Sequence, residues 1–258
     1  MRGEMKEPLL RVENITVSFD GFKALDRVSL SAMPRSVQVV IGPNGAGKST
    51  LMDVIIGRVR PLSGRIILKG ADITRLPEYE VVRRGICRKF QTPGIMPNLT
   101  VEENIIVAAK RGRGWLSTFR TSISADERAR VEEMLELIAL REKRRMLAAH
   151  LAHGAKQWLE IGMVVASDCD LLLLDEPAAG MTHQERAKTA QLIRNLSQRR
   201  AFIVIDHDMD FVEQLDAPVS VLHMGRVIRQ GTLEEVRGDP QVKAVYLGRA
   251  EESKVVNG

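Results

Sequence analysis

Two cysteines, Cys87 and Cys169, are all that the 258 residues contain, and no CxxC occurs. So small a supply argues against a disulfide staple and fits a reducing cytoplasm. Aromatic residues make up only 4%, which gives little support for stacking the bases of a single strand. No apolar run approaches the roughly 18 residues needed to cross a bilayer. The longest, "LLLL" (171–174) and "FIVI" (202–205), are strand-length. The opening "MRGEMKEPLL" has no apolar stretch of the secretory kind, so no export signal is expected. Internal repeats and low-complexity segments are missing too, apart from a short polar tail, "EESKVVNG".

What is present is ordinary for a globular chain. Apolar residues at 44% and charged residues at 28% match that class, and the length allows one α/β domain with a modest insertion. The net charge of +5 falls in small clusters, "RRGICRK" (83–89), "KRGRG" (110–114) and "REKRR" (141–145). Such clusters suit nucleic acid or anionic headgroups, but a solvated face explains them more simply, and no nucleic-acid partner is expected.

The first forty residues read as strands, "LLRVENITVSF", "VSLSA" and "VQVVIG", separated by turn residues. A glycine-rich turn, a helix-like "STLMDVIIGRV" and a further strand, "GRIILKG", follow. From about residue 95 to 165 the pattern is helical: Val131, Met134, Leu135 and Ile138 recur at i, i+3, i+4, i+7 with charge opposite. Strands then return as "DLLLLD", "AFIVID", "VSVLHMG" and "RVIRQG", with a helix-like 182–200 between the first two. Short apolar runs joined by helices imply a buried parallel sheet. The expected fold is an α/β core, β-rich at its N-terminal edge, with a helical segment inserted in the middle. Residues 8–250 are expected to form one domain carrying an inserted helical subdomain near 92–165, with tails at 1–7 and 251–258.

"GPNGAGKST" carries the chemistry. It follows an apolar strand and precedes a helix, the context in which GxxxxGK[ST] is a P-loop. Gly42, Pro43, Asn44, Gly45, Ala46, Gly47, Lys48, Ser49 and Thr50 are the expected phosphate cradle. Gly45 and Gly47 let backbone N–H groups curl round a polyphosphate, and the helix N-terminus adds its dipole. Lys48 reaches the β- and γ-phosphates, and Ser49 offers a hydroxyl to Mg²⁺. Asp175 closes an apolar strand at the same sheet edge, where it can hold Mg²⁺, and Glu176 can polarise the attacking water. An acidic pair after a strand is otherwise a helix cap or a solvated end; the P-loop reverses that judgement. His207, after the strand "FIVID", is placed to bond the γ-phosphate and orient the water. Gln91 in "KFQTP" sits where the sheet-rich part gives way to the helical one; alone, it would pass for a loop residue.

A P-loop, a glutamine loop, the segment "LAHGA" (151–155), "LLLLDE" and a histidine after the next strand occur in that order. This order resembles the ATP-binding cassette ATPases over essentially the whole chain, and the resemblance implies an α/β fold, a P-loop NTPase (RecA-like) core with an N-terminal antiparallel β subdomain and an inserted α-helical subdomain. The resemblance implies two cassettes closing head to tail around two ATPs, with one subunit's signature capping the nucleotide on the other's P-loop. Ala152, His153 and Gly154 would then touch nucleotide, and Gln91 would act in catalysis and as a Mg²⁺ ligand. Phe19 falls where the family stacks an aromatic on adenine, with Phe22 as a nearby alternative; core packing remains open for both. The implied partners are a second cassette, identical or different, membrane permeases and, indirectly, a solute-binding protein. The implied place is the cytoplasmic, inner face of the membrane.

The chain departs from the family pattern at four points. Ala152 and His153 stand where the signature has Ser and Gly, Ala155 replaces Gln, and "PAAGMT" (177–182) lacks the aspartate of the D-loop, with Gly180 and Met181 in that region. A lost serine hydroxyl removes a phosphate bond worth about 1.5–3 kcal/mol, while the backbone amide and helix dipole remain; a competent but weakened site is expected. "AAGMT" and the compact C-terminus resemble importers of branched-chain amino acids and of urea or short amides. "HGAKQWLEIGM" and "DHDMDFV" look closest to the urea branch. Two other readings stay open, a soluble cassette outside transport and a cassette that binds ATP without hydrolysing it; a small nucleotide kinase would not explain "LAHGA" just ahead of "LLLLDE", nor His207.

Overall fold

The protein is described by a computed structural model over residues 7–88, 94–111, 124–167 and 169–246. Strands β1 (Leu10–Phe19) and β2 (Phe22–Ala32) form an antiparallel hairpin. Its turn, Asp20–Gly21, has φ of 48° and 87°, the two positive values of a two-residue type I′ turn. Phe19 and Phe22 pair at the hairpin's tip. β4 (Ser63–Leu68) adds to β1, and β5 (Ala71–Asp72) to β4, giving an antiparallel sheet ordered β2-β1-β4-β5.

The second sheet has six strands in the order β10-β9-β3-β8-β7-β6. They are β3 (Val37–Ile41), β6 (Ile86–Arg88), β7 (Leu171–Asp175), β8 (Ala201–Ile205), β9 (Val219–His223) and β10 (Arg226–Gly231). Five run parallel; β10 runs antiparallel to β9. "RVIRQG" therefore does not extend the parallel set. Met224–Gly225, with φ of 46° and 73°, is a tight hairpin turn, and a parallel strand would need a crossover a dozen or more residues long. Helices α1 (Lys48–Ile55), α2 (Glu78–Arg83), α6 (His183–Ser197) and α7 (Met209–Leu215) occupy the crossovers, and α8 (Leu233–Gly238) follows β10. Between β6 and β7 lie α3 (Val101–Arg111), α4 (Ala125–Leu137) and α5 (His153–Ala166). Along α4 and its C-cap, Val131, Leu135 and Ile138 are buried and Met134 is partly buried against the same cluster.

The apolar runs are continuous because the sheet is covered on both faces. Leu172, Leu174, Phe202, Val204, Val39 and Ile41 point into one core, with α3 to α7. Their strand neighbours Leu171, Leu173, Ile203, Ile205 and Val40 point into a second core, shared with α1 and the antiparallel sheet. Alternation along each strand thus feeds two cores at once, and every β7 leucine is fully buried.

The cysteine expectation is overturned. Cys87 and Cys169 are disulfide-bonded, with Cα atoms 5.9 Å apart. Cys87 lies in β6 and Cys169 just before β7, and those strands are parallel neighbours. A separation of 82 residues hides the pairing from spacing arguments. Closing a loop of that length destabilises the unfolded chain by up to about 4.5 kcal/mol. Reduction is predicted to lower the urea midpoint, and the Cys87→Ser/Cys169→Ser variant should unfold at the reduced chain's midpoint. A midpoint indifferent to reductant would show that the two thiols are not paired in solution.

Candidate functional site: an ATP-binding cassette

β3 leads straight into the glycine-rich loop, and α1 begins at Lys48 with Gly47 as its N-cap. Gly47 has φ 103°, and a Cβ there would sit 2.6 Å from the Ala24 carbonyl oxygen, so only glycine fits. The β9–β10 turn braces the loop from behind: Gly225 N–H donates to Ala46 O at 3.0 Å, and Arg226 binds Asp26 at 2.5 Å. Lys48 is buried and its ammonium donates to the carbonyls of Gly42 (2.7 Å) and Pro43 (2.9 Å). Asn44, Gly45 and Ser49 are exposed along the loop and first helical turn, and Thr50 is half-buried. No side chain caps α1, whereas α4, α6 and α8 each carry a capping box.

β7 and β8 are paired in register, Asp175 opposite Ile205. The ladder runs one residue further, with Glu176 N–H donating to Ile205 O at 2.8 Å. Side chains leaving the two strand ends therefore meet, and His207 Nδ1 lies 3.1 Å from Glu176 Oε1. Glu176 takes φ 46°, a left-handed conformation costing a non-glycine residue about 1–2 kcal/mol. Asp175 stays behind in the sheet. Burial raises its pKa, opposed by Arg88 and by the Lys48 charge of the phosphate loop.

Arg88 is a site residue that sequence reasoning missed. Its guanidinium, 8% exposed, reaches Asp53 of α1 at 2.5 Å and Asp175 at 3.1 Å, joining the P-loop helix to the carboxylate at the end of β7. The available signal was a cation in the short strand "ICR", which reads as part of a solvated basic cluster until the strand is known to be buried. Asp206 was also missed. It is 2% exposed, and its Oδ1 accepts the N–H groups of His207 (2.8 Å) and Asp208 (3.0 Å). Burial pushes it up to about 6.

The segment 151–155 starts α5, with Ala152 as an N-cap whose side chain offers no acceptor to the first-turn amides. The tight packing of Gly154 is intramolecular: a Cβ there would come 2.6 Å from Glu185 Oε1. His153 and Gln157 face the carbonyl of Ala179. Phe19 and Phe22 are 48% and 69% exposed, so neither fills the core. Gln91 lies outside the described residues.

A loop-and-helix phosphate cradle, two acidic residues at the end of β7 and a histidine at the end of β8 share one edge of a parallel sheet. That arrangement defines a P-loop nucleotide-hydrolysing cassette. The family described as "ABC transporter" matches residues 25–179, and a second, described as "Branched-chain amino acid ATP-binding cassette transporter", matches residues 226–252. The chain belongs to the ATP-hydrolysing subunits of ABC transporters, in the branch that includes the branched-chain amino acid proteins.

Among its relatives is the high-affinity branched-chain amino acid transport ATP-binding protein LivG of Escherichia coli (strain K12), 34% identical over 95% of this chain and all of LivG. BraF of Pseudomonas aeruginosa, with the same description, is also 34% identical, covering 95% of this chain and 100% of BraF. The crystal structure of a nucleotide-free ATP-binding cassette from an ABC transporter superposes with TM-score 0.79 at 31% identity, over 93% of this chain and 99% of that one. An ADP-conformation cassette gives 0.80 at 33% identity, over 94% and 99%.

Asp206 gives a pH test. Its pKa rises from the ordinary 3.8 to about 6 in the folded chain. Between those values the native state holds a proton that the unfolded chain has released. Stability therefore falls as pH rises through that window, by about 3 kcal/mol. Asp206→Asn is predicted to flatten this slope and to be more stable than the parent at pH 7–8. Urea unfolding from pH 4 to 8 measures both; an unchanged slope would place the ionised carboxylate in a better-solvated setting than its burial implies.

Proposed function

We propose that the chain powers solute import as one of two cassettes beneath a pair of membrane permeases, and that Glu176 and His207 carry out the hydrolytic step. The observation that carries this reading is their 3.1 Å contact at the ends of neighbouring parallel strands. Phosphates entering the loop would draw Lys48 away from the Gly42 and Pro43 carbonyls, which now occupy its N–H groups. The amides of 44–49 and the uncapped start of α1 add positive potential. Glu176 Oε accepts a proton from the attacking water, and His207 donates to a γ-phosphate oxygen.

Ser49 and Asp175, one hydroxyl and one carboxylate from opposite sides of the cleft, form the sparse oxygen set that suits Mg²⁺ beside phosphates. Gln91 joins them on the family resemblance alone. When bound, Mg²⁺ neutralises charge on the β- and γ-oxygens. Phe19 and Phe22, exposed at a hairpin tip, are available to an adenine face. The 152–154 stretch, with no side-chain cap on α5, would meet the γ-phosphate of the second cassette.

Among the described residues no helix is long and apolar enough to cross a membrane; a peripheral place on the inner face rests on the family resemblance. A solute-binding protein would act through the permeases. The likeness to LivG and BraF favours branched-chain amino acids as the solute. Urea or a short amide is the second reading, favoured by the resemblance of "HGAKQWLEIGM" to that branch.

Hydrolysis of Mg·ATP by the purified chain, followed against its own concentration, tests the dimer: a rate per subunit that climbs with concentration is expected if it pairs with itself. Glu176→Gln should retain ATP and lose at least a hundredfold in turnover, and Lys48→Ala should lose ATP binding. Parent-like turnover in Glu176→Gln would remove Glu176 as the base.

A further inference from the structure

We infer that Gln157 of α5 is a positioning residue for Glu176: it ties the start of α5 to the backbone that follows the acidic pair. The inference rests on the reading of Glu176 as the hydrolytic base. Gln157 is 9% exposed. Its Nε2 donates to the Ala179 carbonyl at 3.1 Å and to His153 Nε2 at 2.8 Å. A primary amide has two N–H groups, and this geometry uses one for each. His153 Nε2 is then an acceptor, with the ring proton on Nδ1. The Ala179 oxygen 3.3 Å from that nitrogen is a second acceptor served by Gln157, not a partner of the ring.

Ala179 N–H in turn donates to Glu176 O at 3.1 Å, while Glu176 N–H is held by Ile205. The Glu176 peptide is thus gripped on both sides. A grip is needed, because its left-handed φ would otherwise relax. Packing keeps α5 in place for this task. A Cβ at residue 180 would come 3.3 Å from the His153 ring, and one at 154 would meet Glu185 at the start of α6. Two hydrogen bonds joined through the Ala179 backbone therefore run from α5, whose first turn carries the 151–155 signature, to the main-chain carbonyl of Glu176, whose side chain bears the proposed proton transfer. Displacing the first turn of α5 would be felt at Glu176 within the same subunit.

The test compares the full chain with Gln157→Glu, which replaces the amide donor with an acceptor of the same shape, and Gln157→Leu, which keeps the apolar volume. Amide hydrogen exchange over 176–181 reads the tether without nucleotide, and Mg·ATP turnover reads its consequence. In both variants Ala179 exchange is expected to quicken at least tenfold while the amides of 161–166 keep their protection. The kcat should fall about tenfold, and KM for Mg·ATP should stay within twofold because the P-loop is untouched.

If the buried carboxylate of Gln157→Glu loosens α5 as a whole, Gln157→Leu decides. Parent-like exchange at Ala179 would overturn the tether. Faster exchange with parent-like kcat would overturn its role in placing Glu176. Should Glu176→Gln itself leave turnover unchanged, the reading of Glu176 fails, while exchange still judges the tether.

Discussion

The register between β7 and β8 is the constraint on which the rest of the site depends. Setting Asp175 opposite Ile205 puts the next residues of both strands, Glu176 on one and Asp206 and His207 on the other, at the same height above the sheet. β8 also pairs with β3, so the phosphate loop leaves the same edge. A slip of one residue would turn the apolar side chains of β7 towards the wrong core. The two buried faces make that slip prohibitive, and so the packing of Leu171 to Leu174 secures the geometry of groups that never touch them.

Charge is arranged around this frame in two tiers. Arg88 links the buried Asp175 of β7 to the part-exposed Asp53 of α1, and removing Arg88 would strand the Asp175 carboxylate in a buried setting. Glu176 and His207 are the more exposed tier, at 41% and 61%, where water and a phosphate can reach them. Asp206 lies beneath, its Oδ1 fixing the two amides that start the histidine loop. Strain at Glu176, a buried carboxylate at Asp206 and a lysine folded onto its own loop all lie within this one edge. Departures from local rules are expected where function requires them.

Much of this was legible in the sequence, because the signals are local. "GPNGAGKST" and "LLLLDE" state their own context of strand, loop and helix, and the β7 and β8 runs announce their double burial by having no polar alternation. What escaped was non-local. Arg88 and Asp53 are 35 residues apart, and nothing in "ICR" reveals that the strand is covered. The Cys87–Cys169 bond depends on β6 lying beside β7, a fact of topology. Gly154 illustrates a subtler limit. Its conformational freedom reads as room for a ligand, yet within the chain it makes room for Glu185. The antiparallel turn of β10 was encoded in Met224–Gly225, where methionine gives little hint of a left-handed conformation.

The account's central claim is that one sheet edge holds the triphosphate between Lys48 and the Glu176–His207 pair. A crystal structure of the Glu176→Gln chain with Mg·ATP tests it most directly. The account predicts Lys48 released from the Gly42 and Pro43 carbonyls onto the β- and γ-phosphates, with His207 within hydrogen-bonding distance of the γ-phosphate. A nucleotide seated with its phosphates away from that edge, or with Lys48 still on its own loop, would contradict it.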